Sequence, residues 1–165
     1  MAEHGLNNWD RRFLNLAKFI ADWSKDPSTQ VGAVIVDAKK RIVATGFNGL
    51  PTGVEDSIHR LHTREIKYDM VVHAERNAII DAKRDLSGMT IYVWPIMPCS
   101  VCATMVIQAG ITKVIAPSTD NQRLIDSCKF HLSEEMYDET GVTLIQVDPS
   151  FLDEEPETKT APDQA

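Results

Sequence analysis

Residues 89–116 read MTIYVWPIMPCSVCATMVIQAGITKVIA and have the pattern of a strand, a helix and a second strand. We predict strands at residues 89–94 and 113–116 and a helix at residues 100–109, which Gly110 ends as a usual C-cap residue. The connection is long enough for a right-handed crossover between parallel strands. The chain is therefore predicted to contain a parallel strand pair.

Helices and strands also alternate before this unit. Apolar side chains recur at helical spacing through residues 8–23, which predicts an amphipathic helix. Residues 31–36 are a continuous apolar run, typical of a strand covered on both faces. A polar turn at residues 37–40 leads into a strand at residues 41–47, so these two strands are predicted to form an antiparallel hairpin. The apolar residues of the helix are Trp9, Phe13, Leu16, Ala17, Ile20 and Trp23.

The remaining segments continue the alternation. Residues 48–53 are turn-rich, and residues 57–70 are polar and helical in part. Further elements are predicted as a helix at 74–85, one or two helices at 122–139 and a strand at 143–147. The order α-β-β-α-β-α-β-α-β predicts an α/β fold, a three-layer α/β/α sandwich with a five-stranded mixed sheet.

Length and charge favour one domain followed by an acidic extension. The 165 residues suit a single domain, which we place at residues 1–148. The net charge is −7, and residues 148–165 hold six acidic residues against one Lys. We expect residues 149–165 to be a mobile acidic tail. The remaining body is nearly neutral, which argues against a nucleic-acid partner because such partners need a basic face.

No segment has the pattern of a membrane or export sequence. The longest apolar runs, such as residues 31–36, are far shorter than the roughly 20 residues that a membrane span requires. The N-terminal residues lack the basic and apolar regions of a signal peptide. We therefore expect a cytoplasmic protein without a membrane partner.

Two short motifs carry the candidate chemistry. The first is His73-Ala74-Glu75, and the second is Pro98-Cys99-Ser100-Val101-Cys102. Three cysteines in a chain without an export signal argue against a disulfide framework and favour metal or redox chemistry. The combined pattern H-x-E…P-C-x-x-C is typical of zinc-dependent nucleobase deaminases.

One imidazole and two thiolates suit a catalytic zinc ion. Zinc takes four ligands, and a catalytic site leaves one position for water. Cys99 and Cys102 share a face at the start of the predicted helix, where free N–H groups and the helix dipole favour thiolates. Glu75 is the candidate proton shuttle beside them. Residues two apart face nearly opposite sides of a helix, so His73 and Glu75 share a pocket only if the helix begins at His73.

Other interpretations of the C-x-x-C pair remain open. It could be a redox pair or half of a structural zinc site. In the second case His131, His59 or His62 supplies the fourth ligand. The joint occurrence of both motifs favours a catalytic zinc, one per subunit, and Cys128 is predicted to be a buried or half-buried bystander.

Residues 9–147 resemble the deoxycytidylate (dCMP) deaminases, a branch of the zinc-dependent cytidine and deoxycytidylate deaminase superfamily. The two motifs above are shared by the whole superfamily, whereas the loops around SKDP and GFNGLP point to the nucleotide branch. The resemblance does not extend to the acidic tail. The stretches that carry it are residues 24–33, 45–53, 67–68, 73–79, 98–102 and 107–111.

The resemblance implies a cytidine deaminase-like fold and the hydrolytic deamination of dCMP to dUMP, a step of pyrimidine deoxynucleotide metabolism that supplies thymidylate synthesis. It implies zinc bound by His73, Cys99 and Cys102. Glu75 is then the catalytic proton shuttle, and Asn48 contacts the nucleoside. Further residues expected to bind the substrate are Ala74, Pro98, Lys25, Ser28, Thr29, Trp94, Lys67 and Tyr68.

Two details of the substrate site stay open. Trp94 departs from the smaller residue of related sequences, and it is either a core Trp at a strand end or a pocket wall. The substrate phosphate needs cations or hydroxyl donors. The candidates are Lys25, Ser28 and Thr29, which match the family, and Arg60, Arg64 and Lys67, which could equally be solvated surface cations.

The resemblance also implies a symmetric homo-oligomer, with a hexamer favoured over a dimer or trimer. It implies dCTP and dTTP as effectors, bound near the loop of Gly46, Phe47, Gly49, Pro51 and Gly53. Other hypotheses are a deaminase of another pyrimidine nucleotide or nucleoside, a tRNA base deaminase, and an inactive zinc-binding scaffold. The nearly neutral body argues against tRNA, and the proton-shuttle Glu argues against an inactive scaffold.

Overall fold

The computed structural model describes residues 6–153, which form five strands, seven α-helices and a short 3-10 helix. The elements are α1 (Asn8–Ala21), β1 (Gly32–Val36), β2 (Ile42–Phe47), α2 (Ile58–His62), α3 (Arg64–Met70), α4 (Ala74–Ala82), β3 (Thr90–Trp94), α5 (Ser100–Gln108), β4 (Lys113–Pro117), α6 (Gln122–Cys128), α7 (Phe130–Thr140), β5 (Thr143–Val147) and a 3-10 helix (Pro149–Leu152).

The strands form one mixed sheet in the order β2-β1-β3-β4-β5. Strand β1 pairs antiparallel with both β2 and β3, and β3, β4 and β5 run parallel. The predicted hairpin and the predicted parallel pair are both confirmed. Because β3 and α5 are consecutive in the crossover, the start of α5 lies at the C-terminal end of a central strand.

Helices cover both faces of the sheet, which confirms the predicted sandwich. Every residue of β1 is buried, and successive residues face opposite sides. Val34 packs in the cluster that contains Leu14 of α1. Ala33 packs in the cluster of the opposite face, which contains Ala78 of α4 and residues of α5 and α7.

Two glycines let helices approach the sheet closely. A Cβ on Gly32 would collide with the backbone of α1 at Ala17, and a Cβ on Gly46 would collide with the carbonyl oxygen of Ala74. The Gly46 Cβ would also lie 2.5 Å from the backbone nitrogen of Ala78. Gly46 of β2 thus allows α4 to pack closely against the sheet.

Helix α1 turns a slightly different face to the sheet than the apolar pattern predicts. Phe13, Ala17 and Ile20 are buried as expected, but Trp9 is 45% exposed and Trp23 is 53% exposed. Asn7 caps the helix by accepting hydrogen bonds from backbone N–H groups of its first turn. The helix ends at Ala21, so Trp23 lies beyond it. Within residues 6–153, no helix combines the length and the apolarity of a bilayer span.

The first residues after β5 pack against α1. Phe151 is buried, and its carbonyl oxygen accepts a hydrogen bond from Arg11 Nε at 2.9 Å. The Arg11 guanidinium also lies over the Phe151 ring, 4.6 Å from its centroid. Residues 149–152 therefore adjoin the domain, whereas residues 154–165 of the expected tail lie outside the described residues.

Candidate active site

The two sequence motifs meet where helices α4 and α5 begin. His73 is the N-cap residue of α4 and has extended backbone angles (φ −70°, ψ 156°). Cys99 is likewise the N-cap residue of α5, with φ −66° and ψ 168°. Helix α4 thus starts directly after His73, as predicted, and the extended residue allows His73 and Glu75 to face one pocket.

The imidazole and the two thiols are spaced as zinc ligands. His73 Nδ1 lies 3.5 Å from Cys99 Sγ and 3.3 Å from Cys102 Sγ. A tetrahedral zinc ion, with Zn–N of about 2.0–2.1 Å and Zn–S of about 2.3 Å, holds nitrogen and sulfur roughly 3.5 Å apart. The donor types and their spacing therefore fit one zinc ion.

These three residues are the only such group in the part of the chain that the structure describes. No other set of three or more His, Cys, Asp or Glu side chains there is close enough to share a metal ion. His131, His59 and His62 lie outside the group, so none of them supplies a fourth ligand. Three protein ligands leave a position for water, which is the arrangement of a catalytic zinc site.

Hydrogen bonds within the cluster shift the pKa values of all three candidate ligands. The Cys102 thiol donates to Cys99, which lowers the pKa of Cys99 to about 4. The same hydrogen bond raises the pKa of the Cys102 thiol. A hydrogen bond with Cys99 raises the pKa of His73. Because zinc needs both thiolates and the neutral imidazole, its binding releases protons from this cluster.

Glu75 lies buried beside the ligands. It is 4% exposed, and removal from water raises its carboxyl pKa above the usual value. The nearby His73 opposes part of this shift. A carboxyl group with a raised pKa takes up a proton more readily than an exposed one, which suits a group that accepts and returns protons in acid–base catalysis.

A cavity of about 120 Å³, here called the catalytic cavity, opens onto these groups. Predicted residues that line it with His73, Glu75 and Cys99 are Asn48, Ser28, Thr29, Lys67 and Tyr68. Sequence reasoning did not assign the other lining residues to the site: Asp26, Val31, Val71, Ile96, Met97, Leu124, Ser127 and Cys128. Cys128 is half-buried, as expected, and it also lines this cavity.

The Asn48 side chain braces the cavity wall. Its Oδ1 accepts the Val31 N–H at 2.8 Å, and its Nδ2 donates to the Thr29 carbonyl at 2.9 Å. The Ser24 hydroxyl donates to the Asn48 carbonyl at 2.8 Å. An amide has two donor hydrogens and two acceptor lone pairs, so one of each remains for a ligand.

Lys67 crosses from α3 to the loop before β1. Its Nζ lies 3.0 Å from Asp26 Oδ1 and 2.9 Å from Ser28 Oγ. The same Asp26 oxygen accepts the backbone N–H groups of Ser28 and Thr29. The predicted hydroxyl residues are therefore held in place by an ion pair.

Other predicted residues lie outside the catalytic cavity. Lys25 forms an exposed ion pair with Asp56 at 2.7 Å. The structure places Trp94 beside α1, where Lys18 Nζ is 5.0 Å from the ring centroid, and Trp94 lines a separate cavity with Pro95. Ala74 is fully buried, and the Pro98 carbonyl accepts a hydrogen bond from Ser133 at 3.0 Å.

The expected effector loop lines a cavity of its own, of about 270 Å³, here called the loop cavity. Phe47, Gly49, Pro51 and Gly53 face it, whereas Gly46 does not because it lies under α4. Lys25, Asn48 and Lys67 also line this cavity, and the last two line the catalytic cavity as well.

Residues 7–117 match the family model described as the cytidine and deoxycytidylate deaminase zinc-binding region. The chain belongs to this deaminase family. All three candidate ligands lie within the matched residues and are positioned to bind the ion. The predicted family, the hydrolytic deaminase class and the zinc cofactor are thus confirmed.

Several known proteins are similar to this deaminase. A protein of Aliivibrio fischeri named "Uncharacterized deaminase in luxG 3'region" is 47% identical over 138 residues, covering 83% of this chain and 92% of that protein. The deoxycytidylate deaminase of Mus musculus is 37% identical, covering 87% and 82%. The crystal structure of dCMP deaminase from the cyanophage S-TIM5 with dCMP and dUMP has a TM-score of 0.70 at 23% identity, covering 87% and 100%. The last comparison supports the fold.

Proposed function

We propose that this deaminase hydrolyses dCMP to dUMP and ammonia. The observation that carries the proposal is the position of buried Glu75 beside the His73, Cys99 and Cys102 ligand group at one cavity. The substrate follows from the relatives, because the similar proteins of Mus musculus and Homo sapiens are named deoxycytidylate deaminases.

The reaction adds water across the C4–N3 bond of cytosine and then expels the C4 amine as ammonia. A zinc ion held by His73, Cys99 and Cys102 would supply a water molecule acidic enough to react at neutral pH. Glu75 takes one proton from that water and delivers it to N3, and it then takes the proton of the new C4 hydroxyl group and passes it to the departing amine. Its burial supports this role, because a raised pKa lets the carboxyl group both accept and return protons.

The cavity walls orient the nucleotide. Val31, Val71 and Ile96 provide apolar walls that exclude water from the reacting carbon. Asn48 is proposed to contact the nucleoside through the donor and the acceptor that its loop contacts leave free. Tyr68 and Lys67, which line the same cavity, are also proposed to contact the nucleotide.

A substrate panel tests the proposal. Ammonia release by the zinc-loaded protein is measured with dCMP, CMP, deoxycytidine, dCTP and tRNA. We expect dCMP to have the highest kcat/KM. A higher value for another member reassigns the substrate, and turnover of none favours a zinc-binding scaffold.

We also propose that the protein is a homo-oligomer, with a hexamer favoured over a dimer or trimer, and that dCTP and dTTP act at the loop cavity. The exposed rings of Phe19, Trp23 and Phe47 pack edge to face and offer an apolar surface for a second copy. Sedimentation analysis tests the oligomeric state. Rates that do not respond to either triphosphate contradict the effector role. The cytoplasmic location and the absence of a nucleic-acid partner stay predictions.

A further inference from the structure

A second cavity adjoins the catalytic cavity. It measures about 740 Å³, and we call it the cationic cavity because Arg64, Arg123, Lys67 and His62 line it. Residues that line both cavities are Ser28, Thr29, Lys67, Tyr68, Leu124 and Ser127. The two cavities therefore adjoin along these residues, so the cationic cavity lies next to a base held in the catalytic cavity.

The cationic cavity differs from the catalytic cavity in its charges. No Asp or Glu is among its lining residues, whereas Asp26 and Glu75 line the catalytic cavity. The chain as a whole carries a net charge of −7, so a lining without carboxylates is a local exception. Its composition suits an anion.

The free positive charge of this cavity comes from two arginines. The Lys67 ammonium is already compensated by Asp26 at 3.0 Å. In contrast, neither Arg64 nor Arg123 forms an ion pair anywhere in residues 6–153. The Arg64 guanidinium lies against the Tyr68 ring, 4.9 Å from its centroid, and this contact leaves its N–H groups free for an anion.

The two arginines belong to different helices that also build the catalytic cavity. Arg64 is the first residue of α3, which supplies Lys67 and Tyr68 to that cavity. Arg123 is on α6, which supplies Leu124 and Ser127. The helices that would hold an anion between the two arginines therefore also help to position the base in the catalytic cavity.

We propose that Arg64 and Arg123 bind the 5′-phosphate of the substrate in the cationic cavity. The planar guanidinium group pairs two N–H donors with two phosphate oxygens, and two such groups match a dianion. This inference rests on the proposed function, and it explains physically why the enzyme would prefer a nucleotide to a nucleoside as its substrate. Inorganic phosphate carries the same anionic oxygens as the 5′-phosphate group, so it serves as a second probe of this site.

Binding measurements on the zinc-loaded Glu75→Gln protein test the assignment without turnover. Calorimetry compares dCMP with deoxycytidine in that background, alone and with Arg64→Ala or Arg123→Ala. Each arginine substitution is expected to weaken dCMP binding roughly 10- to 100-fold, because charge-assisted hydrogen bonds are lost. Deoxycytidine binding is expected to stay unchanged. Inorganic phosphate is expected to compete with dCMP but not with deoxycytidine.

Arg84→Ala is the matched control, because Arg84 is exposed and lines neither cavity. The proposal is overturned if the three arginine variants bind dCMP alike, if deoxycytidine binding falls by the same factor, or if dCMP does not bind. Failure of the proposed function is a separate result. If the wild-type protein releases no ammonia from dCMP but the binding pattern holds, the phosphate site stands and the reaction is reassigned.

Discussion

Lys67 Nζ lies 3.0 Å from Asp26 Oδ1, and both side chains are more than nine-tenths buried. This ion pair joins helix α3 to the loop before β1, two segments about 40 residues apart. Removing one member of such a pair leaves an uncompensated buried charge. The pair also holds Ser28, so the wall shared by the cavities depends on it.

Replacing Lys67 is therefore expected to destabilise the fold. Lys67→Met should lower the free energy of unfolding by roughly 3–5 kcal/mol, because Asp26 stays buried without its partner. Urea denaturation of the zinc-loaded protein measures this loss. Lys25→Met is the control, since the side chain of Lys25 is 71% exposed in its own ion pair with Asp56. Its cost should stay within about 1 kcal/mol, and equal losses for the two variants would contradict the argument.

Glu75→Gln is expected to separate catalysis from metal binding. The variant keeps the three ligands, so its zinc content should equal that of the wild type. Its turnover should fall roughly 10²- to 10⁴-fold, the usual contribution of a positioned acid–base group. Ammonia release and atomic emission measure the two quantities. Glu65→Gln serves as the control, because the side chain of Glu65 is exposed. Near-normal turnover of Glu75→Gln would disprove the proton-shuttle role.

Substitution of the cysteines should distinguish the ligands from their neighbour. Cys99→Ala and Cys102→Ala are expected to lose zinc and to unfold at lower temperature, because metal binding contributes to folding. Cys128→Ala should retain the metal, since Cys128 is not part of the ligand group. Zinc content and thermal unfolding with and without chelator provide the measurements. Retention of full zinc by all three variants would refute the ligand assignment.

Gly46→Ala is expected to disturb the active site indirectly, through the packing of α4 against β2. The new methyl group would overlap the Ala74 carbonyl and the Ala78 nitrogen, so α4 must shift away from β2. Overpacking of this kind costs typically 1–3 kcal/mol. The shift should also weaken zinc binding, because His73 immediately precedes α4.

Gly49→Ala is the matched control for that substitution. A Cβ on Gly49 meets no atom within 4 Å, and its φ is not positive. Its stability and zinc affinity should remain close to those of the wild type. If Gly46→Ala behaved like Gly49→Ala in denaturation and zinc titration, the close packing of α4 on β2 would not constrain the site.

The elements were predictable where apolar residues are continuous or strictly periodic. Residues 31–36 form such a run, and β1 occupies nearly all of it. The pairing of β1 with β3 joins distant segments and depends on tertiary packing, so local patterns do not reveal it. The division between α6 and α7 falls at Lys129, whose φ of 53° is a conformation usually marked by glycine. No glycine indicates that break.

The chemistry was easier to predict than the surroundings of the substrate. His73, Glu75, Cys99 and Cys102 carry a spaced motif, because the metal demands particular donors at particular positions. Arg123 has no such marker. It lies on a seven-residue helix without buried residues, so no apolar periodicity predicted that α6 and α3 line the same cavities. Only the folded chain brings these surfaces together.

Helices α4 and α5 are packed into the core, whereas α6 lies on the surface, and this difference affects how the substrate preference of the enzyme can evolve. Helices α4 and α5 each bury several residues, whereas α6 buries none and α3 buries only Lys67. The reaction centre thus lies on helices packed into the core, whereas its perimeter is formed by helices with little buried surface. In a laboratory selection for activity on a new nucleotide, we expect most mutations to fall on α3 and α6 and few on α4 and α5. Substrate preference can then change while the residues that carry out the deamination stay the same.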